Sequence, residues 1–76
     1  MVSHTYKAED PRVKLIWKLE KNWLEAVSIK DEKNAASLSQ VIDFLEVGNA
    51  EEAINTAYRR GLPQVSRKIR EVFLDS

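Results

Sequence analysis

The sequence predicts an all-α fold: a single small domain of about four helices, one long N-terminal helix followed by three short, tightly connected helices. Three apolar stretches repeat at the spacing of one helix face. Gly48, Asn49 and Gly61 fall between these stretches, at positions typical of helix ends and helix starts. No stretch alternates apolar and polar residues as a strand would, and a chain of 76 residues is long enough for one domain.

The composition indicates a globular domain with a thin core. Hydrophobic residues make up 43 % of the chain and charged residues 32 %, which is unlike a disordered segment. Domains of this size often gain stability from disulfides, metals or oligomerisation. Because cysteine is absent, well-packed helices or self-association remain. No apolar run reaches the length of a signal peptide or a membrane span, so we expect a soluble, cytoplasmic protein.

The first helix begins after a segment without periodicity. We expect residues 1–9 to form a flexible arm and residues 10–76 to form the helical domain. Asp10 followed by Pro11 predicts the helix start, because aspartate accepts a hydrogen bond at the N-cap and proline fits the first helical position. The apolar residues of this helix sweep about 200° of its circumference, at about 100° per residue. They are Val13, Leu15, Ile16, Trp17, Leu19, Trp23, Leu24, Ala26 and Val27.

An apolar arc of this width predicts a helix that is covered on two sides or that meets another chain. Glu20 is the one charged residue inside the arc. The polar residues 28–34 that follow are either the frayed end of the first helix or a linker, and the pattern leaves both open. We expect Asn34 or Ser37 to cap the second helix.

The remaining helices follow from their apolar faces and their end signals. The second helix turns Leu38, Val41, Ile42 and Leu45 inward, with Phe44 at the margin. The third has a face of small residues, Ala50, Ala53, Ile54 and Ala57, followed by Tyr58. The fourth turns Val65, Ile69, Val72 and Phe73 inward. Gly48 suits the left-handed position that ends a helix, Asn49 with Glu52 resembles a capping box, and Pro63 opens the last helix.

The chain lacks the residue patterns that catalysis or metal binding requires. His4 is the only histidine and lies in the expected arm, where a ligand or a general base would have no fixed partners. The sequence contains no glycine-rich phosphate loop and no nucleophile elbow. We therefore expect no enzymatic activity, no cofactor and no metal.

Charge is distributed unevenly although the chain is neutral. Residues 35–57 carry four acidic and no basic side chains, whereas residues 58–76 carry five basic and two acidic side chains. Such charges cancel between neighbouring helices or form a polarised surface. The basic stretch is a candidate for contact with an acidic partner and contains Arg59, Arg60, Arg67, Lys68 and Arg70.

Two binding functions fit the sequence, and protein–protein interaction is the first. Trp17 and Trp23 are large anchors of the kind enriched at interfaces, and about 120° of helix rotation separates them. One is expected to face the other helices while the other faces a second chain, and the pattern leaves open which is which. We predict a small helical interaction module, an adaptor or regulator that binds another protein or itself as a homo-oligomer.

Helix-turn-helix DNA recognition is the alternative. Residues 39–61 resemble such a unit, with two helices, a glycine-containing turn and polar residues on the second helix. These polar residues are Asn55, Thr56, Arg59 and Arg60, and Arg67, Lys68 and Arg70 would contact phosphates. However, Glu51 and Glu52 stand at the end of the helix that a recognition helix presents to the major groove. The segment also resembles a tetratricopeptide-type hairpin, but no second copy follows, and we assign no family.

Overall fold

The computed structural model describes residues 10–75. These residues form four α-helices and no strand, and the first helix is the longest, so the predicted fold class is confirmed. The expected arm, residues 1–9, lies outside the described residues. The helices are α1 (Pro11–Ser28), α2 (Glu32–Glu46), α3 (Ala50–Arg59) and α4 (Pro63–Ile69), and α4 continues into a π-helical turn at Arg70–Leu74.

Three of the predicted start signals stand where a helix begins. The Asp10 carboxylate accepts a hydrogen bond from the backbone N–H of Arg12 at 2.9 Å, and Pro11 is the first residue of α1. The Asn49 side chain accepts from the backbone N–H of Glu52 at 3.2 Å at the start of α3. Pro63 likewise opens α4. These contacts satisfy backbone donors that have no partner inside the helix.

The three links between helices share one backbone conformation. Each link has three residues, and its central residue lies in the left-handed region: Lys30 at φ 63°, Gly48 at φ 81° and Gly61 at φ 79°. Glycine adopts this conformation without strain, whereas a side chain crowds the following carbonyl group. Two of the three turns therefore follow the usual residue preference, and the first does not.

Backbone hydrogen bonds of the Schellman type close each of these helix ends. At the end of α1, the Lys30 N–H donates to the Val27 carbonyl at 3.1 Å, and the Asp31 N–H donates to the Ala26 carbonyl at 2.8 Å. The same pair of bonds recurs around Gly48 and Gly61. The last residue of each link is the N-cap of the next helix, so one helix ends where its successor begins.

This first turn shows whether residues 28–34 are the end of the first helix or a linker. The segment is neither wholly helix nor wholly linker, since α1 ends at Ser28 and α2 begins at Glu32. The expectation that Asn34 or Ser37 caps α2 is wrong. The cap is Asp31, whose carboxylate accepts from the Asn34 N–H at 3.3 Å. Ser37 is instead a buried residue inside the helix.

The core lies where all four helices meet. Each helix packs against the next, and the π-helical turn returns to contact α1 and α3. The α3 face of small residues is fully buried at Ala53 and Ala57, which lets its neighbours approach closely. The buried core comprises Leu15, Leu19, Leu38, Val41, Ile42, Leu45, Ala53, Ile54, Ala57 and Ile69.

Two details of the α3 face differ from the prediction. Tyr58, expected to point inward, is 70 % exposed, whereas Thr56 is buried. The buried arc is centred on Ala53 and Ala57 and extends to Ile54 on one side and to Thr56 on the other. The hydroxyl of the buried Ser66 on α4 donates to the Ile54 carbonyl at 3.1 Å and joins the two helices.

Candidate functional site

Helix α1 carries two apolar rows, of which only one is fully packed inside the domain. The inner row of Leu15, Leu19 and Ala26 is buried in the core. A second row runs along the helix at alternating spacings of four and three residues, and we call it the outer row. It consists of Val13, Trp17, Glu20, Leu24 and Val27. This is the spacing by which two helices pack side by side in a coiled coil.

Most of the outer row is accessible to solvent. Trp17 is 52 % exposed, Leu24 is 59 % exposed and Val27 is 47 % exposed, while Val13 is buried beneath the start of the row. The wide apolar arc of α1 therefore divides into a part covered by the domain and a part that no described residue covers. Scattered single apolar residues on a surface are ordinary, but a row of them along one helix is not.

The two tryptophans occupy different environments. Trp23 is partly buried and packs against the core, whereas Trp17 stands on the outer row with half of its surface exposed. One side of Trp23 therefore faces the domain interior. Trp17 exposes more aromatic surface to solvent than Trp23 does. Both side chains also line a groove beside α1.

This groove runs between α1 and α2 and consists of two adjoining hollows of about 450 and 300 Å³. Glu20 and Glu46 line both hollows and stand at their junction. Phe73 of the π-helical turn also lines the first hollow. We call the whole feature the α1–α2 groove. Its apolar lining residues are Val13, Ile16, Trp17, Trp23, Leu24, Ile42, Leu45 and Phe73.

The charged residues around the α1–α2 groove are predominantly acidic. Four carboxylates line it, and the one basic group in its lining is Arg12. The Arg12 guanidinium forms an ion pair with Asp10 at 3.3 Å. The groove thus combines an apolar floor with an excess of negative charge at its edges. The four carboxylates belong to Asp10, Glu20, Asp43 and Glu46.

Asp10 is the group whose protonation the fold visibly affects. The backbone N–H of Arg12, and after it the Arg12 guanidinium, hold the pKa of Asp10 below its ordinary value. Both donors stabilise the charged carboxylate. The end of the groove near Asp10 therefore keeps its negative charge to lower pH than a free aspartate would.

The basic residues predicted as partner contacts are all exposed, but they differ in what holds them. Arg60 donates to the Gln40 side chain on α2 at 2.8 Å. Arg59 lies 3.9 Å from the Glu52 carboxylate and 3.4 Å from the Thr56 hydroxyl. These two arginines are thus engaged within the domain. The other three side chains project from α4 and its π-helical turn; they are Arg67, Lys68 and Arg70.

Lys68 lies beside a second basic residue that sequence reasoning did not connect with it. A shallow hollow between α1 and α4 is lined by Lys18 and Lys68 and by no carboxylate among the described residues. The opposite edges of α1 therefore carry opposite charge, acidic towards α2 and basic towards α4. The interleaving of lysines along α1 was visible in the sequence, but the position of α4 beside them was not.

The residues of the helix-turn-helix alternative are only partly available for contact. Asn55 is exposed on α3, but Thr56 is buried at 3 % exposure and cannot reach a DNA base. Its assignment as a surface residue of that helix was wrong, because its side chain is buried within the domain. Glu51 remains exposed at the N-terminal end of α3. Phosphates would be repelled there.

No group of three or more potential metal ligands occurs within residues 10–75. None of the helices in this part of the chain is both long and apolar enough to cross a membrane. Comparison of the chain with protein-family models, curated proteins and solved structures finds no match. The fold defines the class of the protein as a small all-α domain of four helices. The α1–α2 groove and the outer row of α1 form the candidate binding surface of this domain.

Proposed function

We propose that this protein is a small, cytoplasmic, non-enzymatic interaction module, an adaptor or regulator that works by binding another protein or a second copy of itself. The observation that carries the proposal is the outer row of α1, where Trp17 and Leu24 are each more than half exposed. Exposing such a row to water is unfavourable, at roughly 25 cal/mol per Å² of apolar surface. A partner that covers it recovers this free energy.

Trp17 is the residue of this surface from which we expect the largest binding contribution. Tryptophan is enriched among the few interface residues that dominate binding energy, and such residues lie where partners exclude water. Trp17 stands above a hollow that a partner side chain can enter. Because half of Trp17 is exposed, its removal should weaken binding far more than it destabilises the domain.

The experiment uses the purified wild-type chain and two aromatic variants as baits in a nuclease-treated host lysate. The proteins that each bait captures are identified by mass spectrometry and compared. Trp17→Ala removes the proposed anchor, and Tyr58→Ala is the matched control because Tyr58 is an exposed aromatic residue on a different helix. We expect a defined protein to bind the wild type and the control but not Trp17→Ala, with circular dichroism showing all three chains folded. Equal capture by all three would contradict the proposal for this surface.

DNA binding is the second candidate, and the exposed basic residues of α4 favour it. Arg67 and Lys68 project from α4, and Lys18 of α1 shares the basic hollow with Lys68. Binding to phosphates weakens steeply as salt rises, whereas binding to an apolar surface does not. Nucleic acid recovered with the wild type, and lost on Arg67→Ala/Lys68→Ala but not on Trp17→Ala, would establish this second function instead.

A further inference from the structure

We infer that the α1–α2 groove binds a basic amphipathic helix of a partner protein. The inference rests on the proposed interaction function and adds the chemistry and the shape of what is bound. Three features lead to it: the spacing of the outer row, its length and the charge at the edges of the groove.

The spacing of the outer row fits a helix as the bound element. Val13, Trp17, Leu24 and Val27, with Glu20 between Trp17 and Leu24, follow the alternating four- and three-residue steps by which side chains of one helix fit between those of another. Binding of a segment as an added β-strand would require exposed backbone donors at a sheet edge, and residues 10–75 contain no strand. The accessible surface is a helix flank beside a groove, which is the arrangement that accepts an amphipathic helix.

The length of the surface sets the length of the bound helix. The outer row extends from Val13 to Val27, about 21 Å at 1.5 Å per residue. Val13 and Phe73 line the first hollow, and Trp23 and Leu24 line the second. A helix of about four turns would cover this distance and bring four or five apolar side chains onto Trp17, Leu24 and the groove floor.

The charge at the edges determines which amphipathic helix is favoured. Glu20 and Glu46 stand where the two hollows meet, and Asp43 lies beside them on α2. Lysine or arginine residues flanking the apolar face of the bound helix would approach these carboxylates and the face of Trp17. Glu20, which interrupts the apolar row, thereby becomes a contact for a basic side chain.

The same charges disfavour an antiparallel second copy as the occupant. An antiparallel symmetric pair of chains joined through their outer rows would place the acidic edge of one groove against the acidic edge of the other. Like charges brought together across an interface are repelled. The acidic edges therefore favour a basic partner over an antiparallel second copy at this surface.

The test uses two synthetic helical peptides of about 14 residues that contain no tryptophan. Both carry leucines at alternating three- and four-residue spacing, and they differ only in having lysine or glutamate at all flanking positions. Affinity is measured by fluorescence anisotropy of the labelled peptide against the unlabelled chain. We expect the lysine peptide to bind at least about tenfold more tightly than the glutamate peptide.

Two sets of variants locate the binding. Glu20→Gln/Glu46→Gln should weaken binding of the lysine peptide about tenfold, because it removes two charges at the groove. Glu25→Gln/Glu71→Gln removes the same number of charges from exposed positions outside the groove and should leave the affinity within about twofold of the wild type. Trp17→Ala should weaken binding about thirtyfold, as loss of an interface anchor does.

Equal binding of both peptides, no binding of either, or equal losses in the two glutamine pairs would overturn the inference. A dimer in sedimentation equilibrium that Trp17→Ala dissociates would show that a second copy occupies the groove, and would also overturn it. In that last case the proposed interaction function stands. If neither peptide binds and Trp17→Ala captures the same proteins as the wild type, the proposed function fails together with the inference.

Discussion

Lys30→Gly should stabilise the domain, because Lys30 occupies a backbone position that the other two links fill with glycine. Its φ of 63° lies in the left-handed region. Holding a side chain there costs about 1–2 kcal/mol, and replacing it with glycine removes that cost. Glycine also gives the unfolded chain more freedom, which offsets about 0.4–1 kcal/mol. The expected net gain in the free energy of unfolding is about 0.5–1 kcal/mol, or about 2–8 °C in Tm.

The measurement is urea unfolding followed by circular dichroism at 222 nm, with Lys30→Ala as the control. Lys30→Ala removes the exposed side chain but keeps the Cβ atom, so it should leave the midpoint nearly unchanged. Gly48→Ala should have the opposite effect to Lys30→Gly and lower the stability by about 0.5–1 kcal/mol. No atom lies within 4 Å of a Cβ added at Gly48, so this cost is purely conformational. A lower midpoint for Lys30→Gly than for Lys30→Ala would refute the reasoning.

Three further substitutions test the packing and the first helix. Ser66→Ala removes the buried bond to the Ile54 carbonyl and should cost about 1 kcal/mol in urea unfolding, whereas an unchanged midpoint would mean that the bond contributes nothing. Ile69→Ala should cost about 2–5 kcal/mol at this fully buried position and leave a domain of this size largely unfolded, so a cooperative melt close to that of wild type would contradict the assigned core. Because the folded-state pKa of Asp10 is lowered, its stabilising effect is complete above the ordinary value of 3.8 and is lost as pH falls through the lower folded-state value. The stability of the wild type should therefore fall relative to Asp10→Asn below about pH 3.8, and a difference independent of pH would show that the contact with Arg12 does not matter.

The turn between α1 and α2 shows where sequence reasoning reached its limit. Gly48 and Gly61 predicted their turns, because glycine adopts the left-handed conformation without strain. Lys30 gave no such signal, since lysine rarely adopts it, and Asp31 was therefore not recognised as the cap of α2. The packing of α1 against α2 holds the chain in this conformation despite the local preference. The existence and order of the helices were predictable, but this boundary was not.

The candidate site was also predictable only in part. The excess apolar surface of α1 was visible in its periodicity, but the periodicity did not specify whether the domain itself covers the second side of the helix. Asp43 and Glu46 were visible only as residues on the polar side of α2. That they stand beside Glu20 depends on how α2 crosses α1, which no local pattern specifies. The π-helical turn that carries Phe73, which lines the groove, had no recognisable signal in the sequence.

The most direct test of the α1–α2 groove as the binding surface follows the fluorescence of Trp17 alone. Trp23→Phe leaves Trp17 as the single tryptophan, and Trp17 should be readily quenched by acrylamide in the free chain because half of it is exposed. On saturation with the lysine peptide, we expect its emission to shift to shorter wavelength and its quenching by acrylamide to fall. Unchanged emission and quenching while anisotropy shows the peptide bound would place the binding surface elsewhere.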